Sequence, residues 1–466
     1  MLVMKFGGTS LGDALAFQKV AQIIKKYKPE LSVIVVSAMS GVTNSLIKAS
    51  EEAFLGHRRN FEKILKDLKK KHLKVAQRII KNPLLLNKVD DIIKKKTREL
   101  EEILSDIYAL RERTLRYLDI VSSYGEEFSS NILSVLLQDQ GIKAEQISSE
   151  NLIVTNEDFG RARPLEKETS RKIKKVLNPL FRKDIIPIVT GFKGATKKGE
   201  ITTLGRGSSD FSATIIGAVL KAKEIWIWTD VDGIYSADPR LVKDAKIISE
   251  ISYEEASEMS YFGAKVLHPK TILPAVRKGI SISIKNTFNP NFSGTLITRN
   301  SKTKPNSKVI KAITSIDNLC LVTVEGMGVM GVTDIAARVF GAVFKAGVSV
   351  LIISQSSSDH SICFLIKEED AEKTFKSLKK ELRVLQLVTH DINRILVQKR
   401  VGIIAVVGAG MKGKYGTAGK VFSVLGKYRI NIIAIAQGSS ELNISFVVES
   451  KDIKRAVKSL HRDLIA

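Results

Sequence analysis

Lys5, Phe6, Gly7 and Gly8 stand at the end of the first apolar run of the chain, Leu2 to Phe6. Glycine has no Cβ, so the backbone can bring its N–H groups against anionic oxygens while the lysine adds a point charge. A helix expected from near Leu11 would aim its positive end at the same place. The competing reading is a strand-to-helix turn that merely needs glycine. A second glycine pattern, Gly408-Ala-Gly410-Met-Lys-Gly413, fits G-x-G-x-x-G, and the frame through Lys414 fits a phosphate loop until Tyr415 takes the Ser/Thr position. The same turn occurs earlier as Gly326-Met-Gly328-Val-Met-Gly331, without a lysine. What the two share is therefore a turn geometry rather than a nucleotide clamp.

The elements that must hold these residues alternate. Leu31 to Val36, Ile185 to Thr190 and Glu224 to Thr229 read as buried strands separated by amphipathic stretches, which predicts an α/β fold with a mainly parallel sheet between helix layers. From about Leu55 to Arg116 the chain is Lys/Glu-rich at helical spacing with one proline, Pro83, so a helical insertion is expected. Pro290 to Pro305 reads as punctuation between domains. Beyond it, Gly326, Val339, Phe340, Gln355 and Ile362 recur at one constant offset as Gly408, Val421, Phe422, Gln437 and Ile444. Each copy reads as strand, turn, helix, two strands (Val348 to Ile353 and Ile362 to Ile366; Ile430 to Ile435 and Ile444 to Val448) and a basic helix, which is a small α+β module. Ser252 with Glu255 reads as a helix capping box and nothing more, and His268 before Pro269 as a structural turn residue.

Composition removes several classes. The 466 residues are 44% hydrophobic, enough for sizeable cores. No apolar run reaches the ~18 residues of a membrane span, and no secretory leader pattern is present, so a cytoplasmic setting is expected. Cys320 and Cys363 show no metal-ligand spacing and read as small core residues. The net charge of +25 lies largely in runs such as Lys69-Lys70-Lys71 and Lys94-Lys95-Lys96, interleaved with acids as on a solvated helix face. With 6% aromatic residues and no zinc-finger or RNA-binding signature, nucleic acid is not expected as a partner.

Six motifs in order carry a resemblance. Lys5-Phe6-Gly7-Gly8-Thr9-Ser10, Ser37-Ala-Met-Ser40-Gly-Val-Thr43-Asn44, Gly125-Glu126, Thr203-Leu-Gly205-Arg206-Gly207-Ser-Ser-Asp210, Trp228-Thr229-Asp230-Val-Asp232-Gly233 and Tyr261-Phe-Gly263-Ala-Lys265-Val-Leu-His268-Pro269 resemble those of aspartokinases. The two repeats resemble the paired C-terminal ACT domains of that family. The resemblance implies an amino-acid-kinase domain over residues 1–300 with the helical insertion at about 55–116, a first ACT module at 308–398 and a second at 399–466, the two possibly interleaved. It implies phosphorylation of L-aspartate by ATP with Mg2+ to 4-phospho-L-aspartate, at the start of lysine, threonine and methionine biosynthesis. Lys5 with Phe6, Gly7 and Gly8 is then expected at the transferred phosphoryl group and Asp210 as a residue orienting Lys5 or a group of the substrate. Ser37, Thr43, Glu126 and Arg206 are expected on the substrate, with Glu126 taking the α-ammonium and Arg206 the α-carboxylate. Thr229, Asp230, Tyr235, Arg240 and Lys265 are expected on the nucleotide, and no dedicated protein ligand for the metal.

The same resemblance implies an amino-acid effector, threonine favoured over lysine, at Val350, Leu351, Gln355 and Gln437. Pairing of ACT modules implies a homodimer or higher homo-oligomer, and without an apolar run of spanning length no membrane partner is expected. The chain stops after the helix Lys451 to Leu464, so the second module is expected to lack the closing strand expected at Leu385 to Val388 in the first; the resemblance implies that the second unit is inserted into the first and that this strand is supplied from elsewhere. No dinucleotide-binding extension is seen, so a fused homoserine dehydrogenase is not expected. Two alternatives remain open: another amino-acid kinase of the same fold, acting on glutamate or acetylglutamate, and a non-catalytic amino-acid sensor or basic nucleic-acid-binding module.

Overall fold

The computed structural model describes residues 1–28, 31–205, 207–264, 267–299, 309–325, 333–355, 361–388 and 394–465. Arg206, Lys265 and the first-repeat turn around Gly326 and Gly331 lie outside the described residues. The chain divides into two units, the first formed by Met1–Ile234, Ser249–Tyr253 and Leu267–Ser301.

The strands of the first unit are β1 (Leu2–Phe6), β2 (Leu31–Val36), β3 (Ala144–Ile147), β4 (Val154–Thr155), β5 (Ile186–Thr190), β6 (Lys193–Thr196), β7 (Ile201–Thr203), β8 (Glu224–Thr229), β9 (Glu250–Ser252), β10 (Ser281–Asn286) and β11 (Thr295–Thr298). Eight of them form one sheet in the order β3-β5-β2-β1-β8-β10-β11-β9, and β4, β6 and β7 form a separate small sheet. Every pairing from β3 to β10 is parallel, while β11 pairs antiparallel with β10 and parallel with β9. Parallel strands are covered on both faces, which is why β1 and β5 are buried at every position.

Helices α1 (Ala14–Tyr27), α2 (Val42–Phe54), α3 (Arg58–Ile79), α4 (Pro83–Leu110), α5 (Leu115–Asp139), α6 (Glu166–Arg182) and α7 (Ser208–Leu220) follow in chain order. The expected insertion is the pair α3 and α4. Phe61, Leu65, Leu68, His72, Val75, Ala76 and Ile79 form the buried stripe of α3 at helical period. Pro83 opens α4 at a position where a missing N–H costs nothing, and the Asn82 side chain accepts from the Leu84 and Leu85 amides. The helix expected from Leu11 begins at Ala14 instead. A short 3-10 turn, Thr9–Leu11, precedes it, and the Asp13 side chain caps the Ala16 amide. Helices α8 (Tyr253–Tyr261) and α9 (Pro269–Lys278) come next, with His268 as N-cap of α9, its Nδ1 accepting from the Lys270 amide.

The second unit comprises Tyr235–Ile248, Glu254–Val266 and Lys302–Ala466, so its membership differs from a single cut near residue 300. Side chains explain the difference. Ala237 and Val242 pack in the same apolar cluster as Ile313, Ile404 and Phe446, and the Ile313 amide donates to Ser236 O. Glu255 is fully buried, taking Lys311 Nζ at 2.8 Å and the Ala409 amide at 2.6 Å. Its part is thus a tertiary anchor, beyond the capping box read from sequence.

Strands β12 (Ala312–Glu325), β13 (Ile352–Gln355), β14 (Ser361–Lys367), β15 (Arg394–Val407), β16 (Ala434–Ala436) and β17 (Asn443–Glu449) form one antiparallel sheet in the order β13-β14-β12-β15-β17-β16, with helices α10 (Thr333–Lys345), α11 (Ala371–Val388), α12 (Thr417–Lys427) and α13 (Ser450–Leu464). The two long strands explain how two repeats share it. The second half of β12 pairs with β14 and with the first half of β15, while the first half of β12, Ala312 to Ile316, pairs with Ile403 to Val407 beside β17. The closing strand of the second repeat is therefore donated from ahead of the first. Residues Leu385 to Val388, expected as a strand, instead complete α11, and the strand role falls to the start of β15. The edge strands begin later than the apolar runs suggested, at Ile352 and Ala434, because the chain is still turning out of the preceding helix, with Gly347 at φ +65° and the Val348 amide bonded to Val343 O.

Candidate active site

Lys5 projects near the carboxyl end of β1, between Val35 of β2 and Ile227 of β8, where open parallel sheets place ligands. The side chain is nearly buried, and its Nζ lies 2.7 Å from Asp210 Oδ1 in the first turn of α7. The adjoining glycines work by closeness. Gly8 has an ordinary helical φ of −62°, but a Cβ there would lie 2.9 Å from Ala38 O. Gly8 O accepts the Ser40 amide at 3.1 Å, while the Gly7 amide is engaged with Trp228 O at 3.0 Å.

A cavity of about 340 Å³ opens here, lined by Lys5, Gly8, Ser37, Ala38, Met39, Ser40, Gly41, Thr43, Asn44, Glu126, Phe192, Gly207, Ser208, Ser209 and Asp210. Two helices begin at its wall. The N-caps of α2 and α7 are Gly41 at φ +82° and Gly207 at φ +70°, left-handed conformations that suit glycine. Their first-turn amides and positive dipole ends, together with the Lys5 ammonium, make the cavity a place for anions.

Glu126 supplies the opposite charge. It is 3% exposed on α5, and its Oε2 has no hydrogen-bond partner among the described residues. Burial pushes its carboxyl up to about 8, against the pull of the Ala38 and Glu126 backbone N–H groups and of Lys193 and Lys5. Gly125 before it allows α5 to approach the loop, since a Cβ would meet Ala38 Cβ at 2.6 Å. Ser129, one turn on, donates to Ser37 O at 2.8 Å.

Behind Glu126 lies an ion cluster not anticipated from sequence. Lys193 Nζ, in β6, contacts Glu127 Oε1 and Glu150 Oε2, each at 2.6 Å, and Ser148 Oγ adds a 2.6 Å bond to Glu127 Oε1. Burial would lower the Lys193 pKa, but the two carboxylates hold it above its ordinary value. Burial would likewise raise Glu127, and Lys193 and Ser148 hold it below the usual range. Asp119, also buried on α5, accepts from the Gly160 and Thr203 amides and from Thr203 Oγ1. Burial raises its pKa against those bonds. The sequence carried one signal for the cluster: Glu126-Glu127 is the only charged pair in an otherwise uncharged stretch of α5 from Ile120 to Leu137.

The structure brings together Lys5, Gly8, Ser37, Thr43, Glu126 and Asp210 from the sequence expectations. Thr229 and Asp230 follow at the end of β8, with Thr229 Oγ1 bonded to Asp230 Oδ1 at 3.1 Å and Thr229 O accepting the Thr287 amide. Tyr235 and Arg240 belong to the second unit, where the Arg240 guanidinium forks onto Asp238 at 2.6–3.1 Å. Val350 O and Leu351 O accept from the Tyr261 hydroxyl at 3.3 and 2.9 Å. Gln355 and Gln437 are exposed, at the end of β13 and just past β16, and Ser354 Oγ donates to Ile435 O at 3.4 Å to tie those two edge strands. The second-repeat glycine turn is filled by the chain itself, the Ala409 and Gly413 amides going to Glu255 and Glu441 carboxylates.

A family model described as the amino acid kinase family matches residues 1–286, and an ACT domain model matches residues 322–382 and 404–464. The chain is 36% identical to bifunctional aspartokinase/homoserine dehydrogenase 1 of Zea mays over 98% of its own length and 50% of that protein. It thus spans about half the length of the bifunctional curated relatives it matches. Aspartokinase 2 of Arabidopsis thaliana is 33% identical over 98% of this chain and 83% of its own. Solved structures of E. coli aspartokinase III cover 100% of both chains, in complex with aspartate and ADP (30% identity, TM-score 0.82) and with lysine and aspartate (28%, 0.80).

Proposed function

The chain belongs to the aspartokinases, within the amino acid kinase family and with C-terminal ACT domains, and from that premise we propose that it transfers the γ-phosphoryl group of ATP to the side-chain carboxylate of L-aspartate. The observation that carries this reading is the cavity itself, lined by Lys5, two helix N-termini and a buried Glu126 whose Oε2 has no hydrogen-bond partner among the described residues. Such a site suits a ligand bearing both anionic and cationic groups.

In the proposed reaction an aspartate carboxylate oxygen attacks the γ-phosphorus in line, the bond to the β,γ-bridging oxygen breaks, and that oxygen leaves on ADP. No general base is needed, because the attacking carboxylate is already ionised at neutral pH. The protein's work is positioning and charge neutralisation. Lys5 serves the transferred group, oriented by Asp210, with Gly8 as its backbone neighbour because the Gly7 amide is committed to Trp228. Glu126 takes the α-ammonium, whose arrival favours the ionised carboxylate. Arg206 holds the α-carboxylate, with Ser37 and Thr43 lining the same pocket. Thr229, Asp230, Tyr235, Arg240 and Lys265 serve the nucleotide. Magnesium would accompany ATP and offset charge on its phosphates; Asp210 is engaged with Lys5, and no dedicated protein ligand for the metal is proposed.

For regulation, threonine is the proposed effector, on the tract Gln355-Ser-Ser-Ser-Asp-His-Ser361, with Val350, Leu351, Gln355 and Gln437 as its site. A lysine complex of E. coli aspartokinase III supports lysine as the second reading. A homodimer joined through the ACT modules would carry the signal. ADP release with aspartate, glutamate and N-acetylglutamate tests the substrate. Turnover restricted to aspartate supports the reading, and turnover with either other acid but not aspartate overturns it.

A further inference from the structure

Lys71 belongs to the Lys69-Lys70-Lys71 run whose spacing reads as a solvated helix face, yet its side chain is only half-exposed and turns off that face. Its Nζ donates to Ser40 O at 2.7 Å, across from the insertion helix α3 to the wall of the cavity. Ser40 is then held at both ends of its residue, its amide by Gly8 O at 3.1 Å and its carbonyl by Lys71. Immediately after Ser40, Gly41 turns the chain at φ +82° into α2, whose first turn carries Thr43 and Asn44 along the cavity.

The helix that carries Lys71 is itself tightly placed. The next residue, His72, is fully buried; its Nδ1 bonds Leu68 O at 2.7 Å and its ring packs 4.6 Å from that of Phe128, two residues beyond Glu126 on α5. Lys71 therefore reaches Ser40 from a fixed register relative to the helix bearing Glu126. Its ammonium also lies beside the N-terminal end of α2, adding positive charge where first-turn amides face the cavity.

We propose that Lys71 is a positioning residue for the acid substrate, through which the helical insertion fixes the cavity segment 37–43. This rests on the reading of the cavity as the aspartate site. A charge-assisted hydrogen bond to a carbonyl holds the segment in its binding form before substrate arrives, so its loss falls on substrate affinity rather than on the chemical step. Lys71→Met is expected to raise the aspartate KM about tenfold with kcat within about twofold of wild type, an effect of the size expected for one lost hydrogen bond to a charged donor. Lys71→Arg restores most of the affinity, and Lys70→Met, removing a neighbouring exposed charge, changes neither parameter.

Hydrogen exchange on substrate-free protein tests the same idea without catalysis. Amides of residues 40–44 are expected to exchange about tenfold faster in Lys71→Met than in wild type, with α3 and α5 unchanged. An unaltered KM, an equal effect of Lys70→Met, a matching fall of kcat and melting temperature, or unaltered exchange at 40–44 each overturns the proposal. Wild-type inactivity on aspartate would instead remove the functional reading, and the exchange comparison would still decide the role of Lys71.

Discussion

The ammonium of Lys5 and the carboxylate of Asp210 lie 2.7 Å apart, joining the carboxyl end of a central strand to the first turn of α7. The pair holds a cation at the anion-attracting end of two helices while keeping it compensated before any ligand arrives. An arriving phosphate can then share an ammonium already in place, which is the kind of preorganisation that lowers a barrier.

Removing that cation should act mainly on turnover. Lys5→Ala is expected to lower kcat by about 10²–10³-fold, the range for deleting one preorganised electrostatic group, with a much smaller change in aspartate KM. Arg206→Ala, at a residue proposed to bind the ground state, is expected to do the reverse. Steady-state kinetics on both variants checks the split, and equal effects on kcat and KM in each would contradict the assignments.

Glu126 should impose a pH dependence on substrate binding. With its carboxyl pushed up to about 8, the free enzyme carries it mostly neutral at pH 7, while the substrate ammonium requires the carboxylate. The aspartate KM is therefore expected to fall as pH rises from 6.5 to 8, by up to about tenfold per unit. The stability sign is opposite. A raised carboxyl pKa contributes stability that is full below the ordinary value of 4.5 and is lost as pH rises through about 8. Glu126→Gln should thus bind aspartate poorly at every pH yet melt higher than wild type at pH 9. Kinetics and thermal melts over that range measure both.

His72 should make the insertion acid-sensitive. Burial lowers its pKa from 6.5 to about 4, outweighing the bond to Leu68 O, with Lys71 lowering it further. A depressed histidine contributes stability that is present above 6.5 and lost as pH falls through about 4, on the order of 3 kcal/mol in all. Chemical denaturation at pH 7 and pH 4.5 is expected to show a loss that His72→Met largely removes. An identical acid loss in the variant would place the sensitivity elsewhere.

Gln355→Ala is expected to weaken threonine inhibition without loss of basal rate, since Gln355 is exposed on β13 of the second unit. Inhibition curves for threonine and for lysine, on wild type and variant, check both the site and the effector. Unchanged curves would move the effector site away from β13.

Much of this was legible in the sequence because it depends on local pattern. The runs of β1, β2, β5 and β8 are dominated by apolar residues, and the α3 stripe keeps its period, so local pattern announces both the strands and the insertion. The site loops carry Gly8, Gly41 and Gly207, whose close approach or positive φ favours glycine. What escaped was set by distant partners. Lys193 sits in a short strand with nothing nearby in sequence to announce Glu127 and Glu150, and Lys71 has the same local pattern as its exposed neighbour Lys70 although its ammonium reaches Ser40 O. Glu255 matched a local cap while its carboxylate served Lys311 and Ala409. The donated half of β12 was invisible for the same reason. A strand that pairs outside its own repeat leaves no periodic trace inside it.

The most direct test is to incubate the purified protein with Mg-ATP, L-aspartate and hydroxylamine and to measure the trapped hydroxamate. An acyl phosphate formed on the side-chain carboxylate predicts aspartyl-β-hydroxamate accumulating in step with ADP in wild type and nearly absent in Lys5→Ala. ADP release without hydroxamate, or equal hydroxamate from the variant, would contradict phosphoryl transfer to aspartate at the Lys5 site.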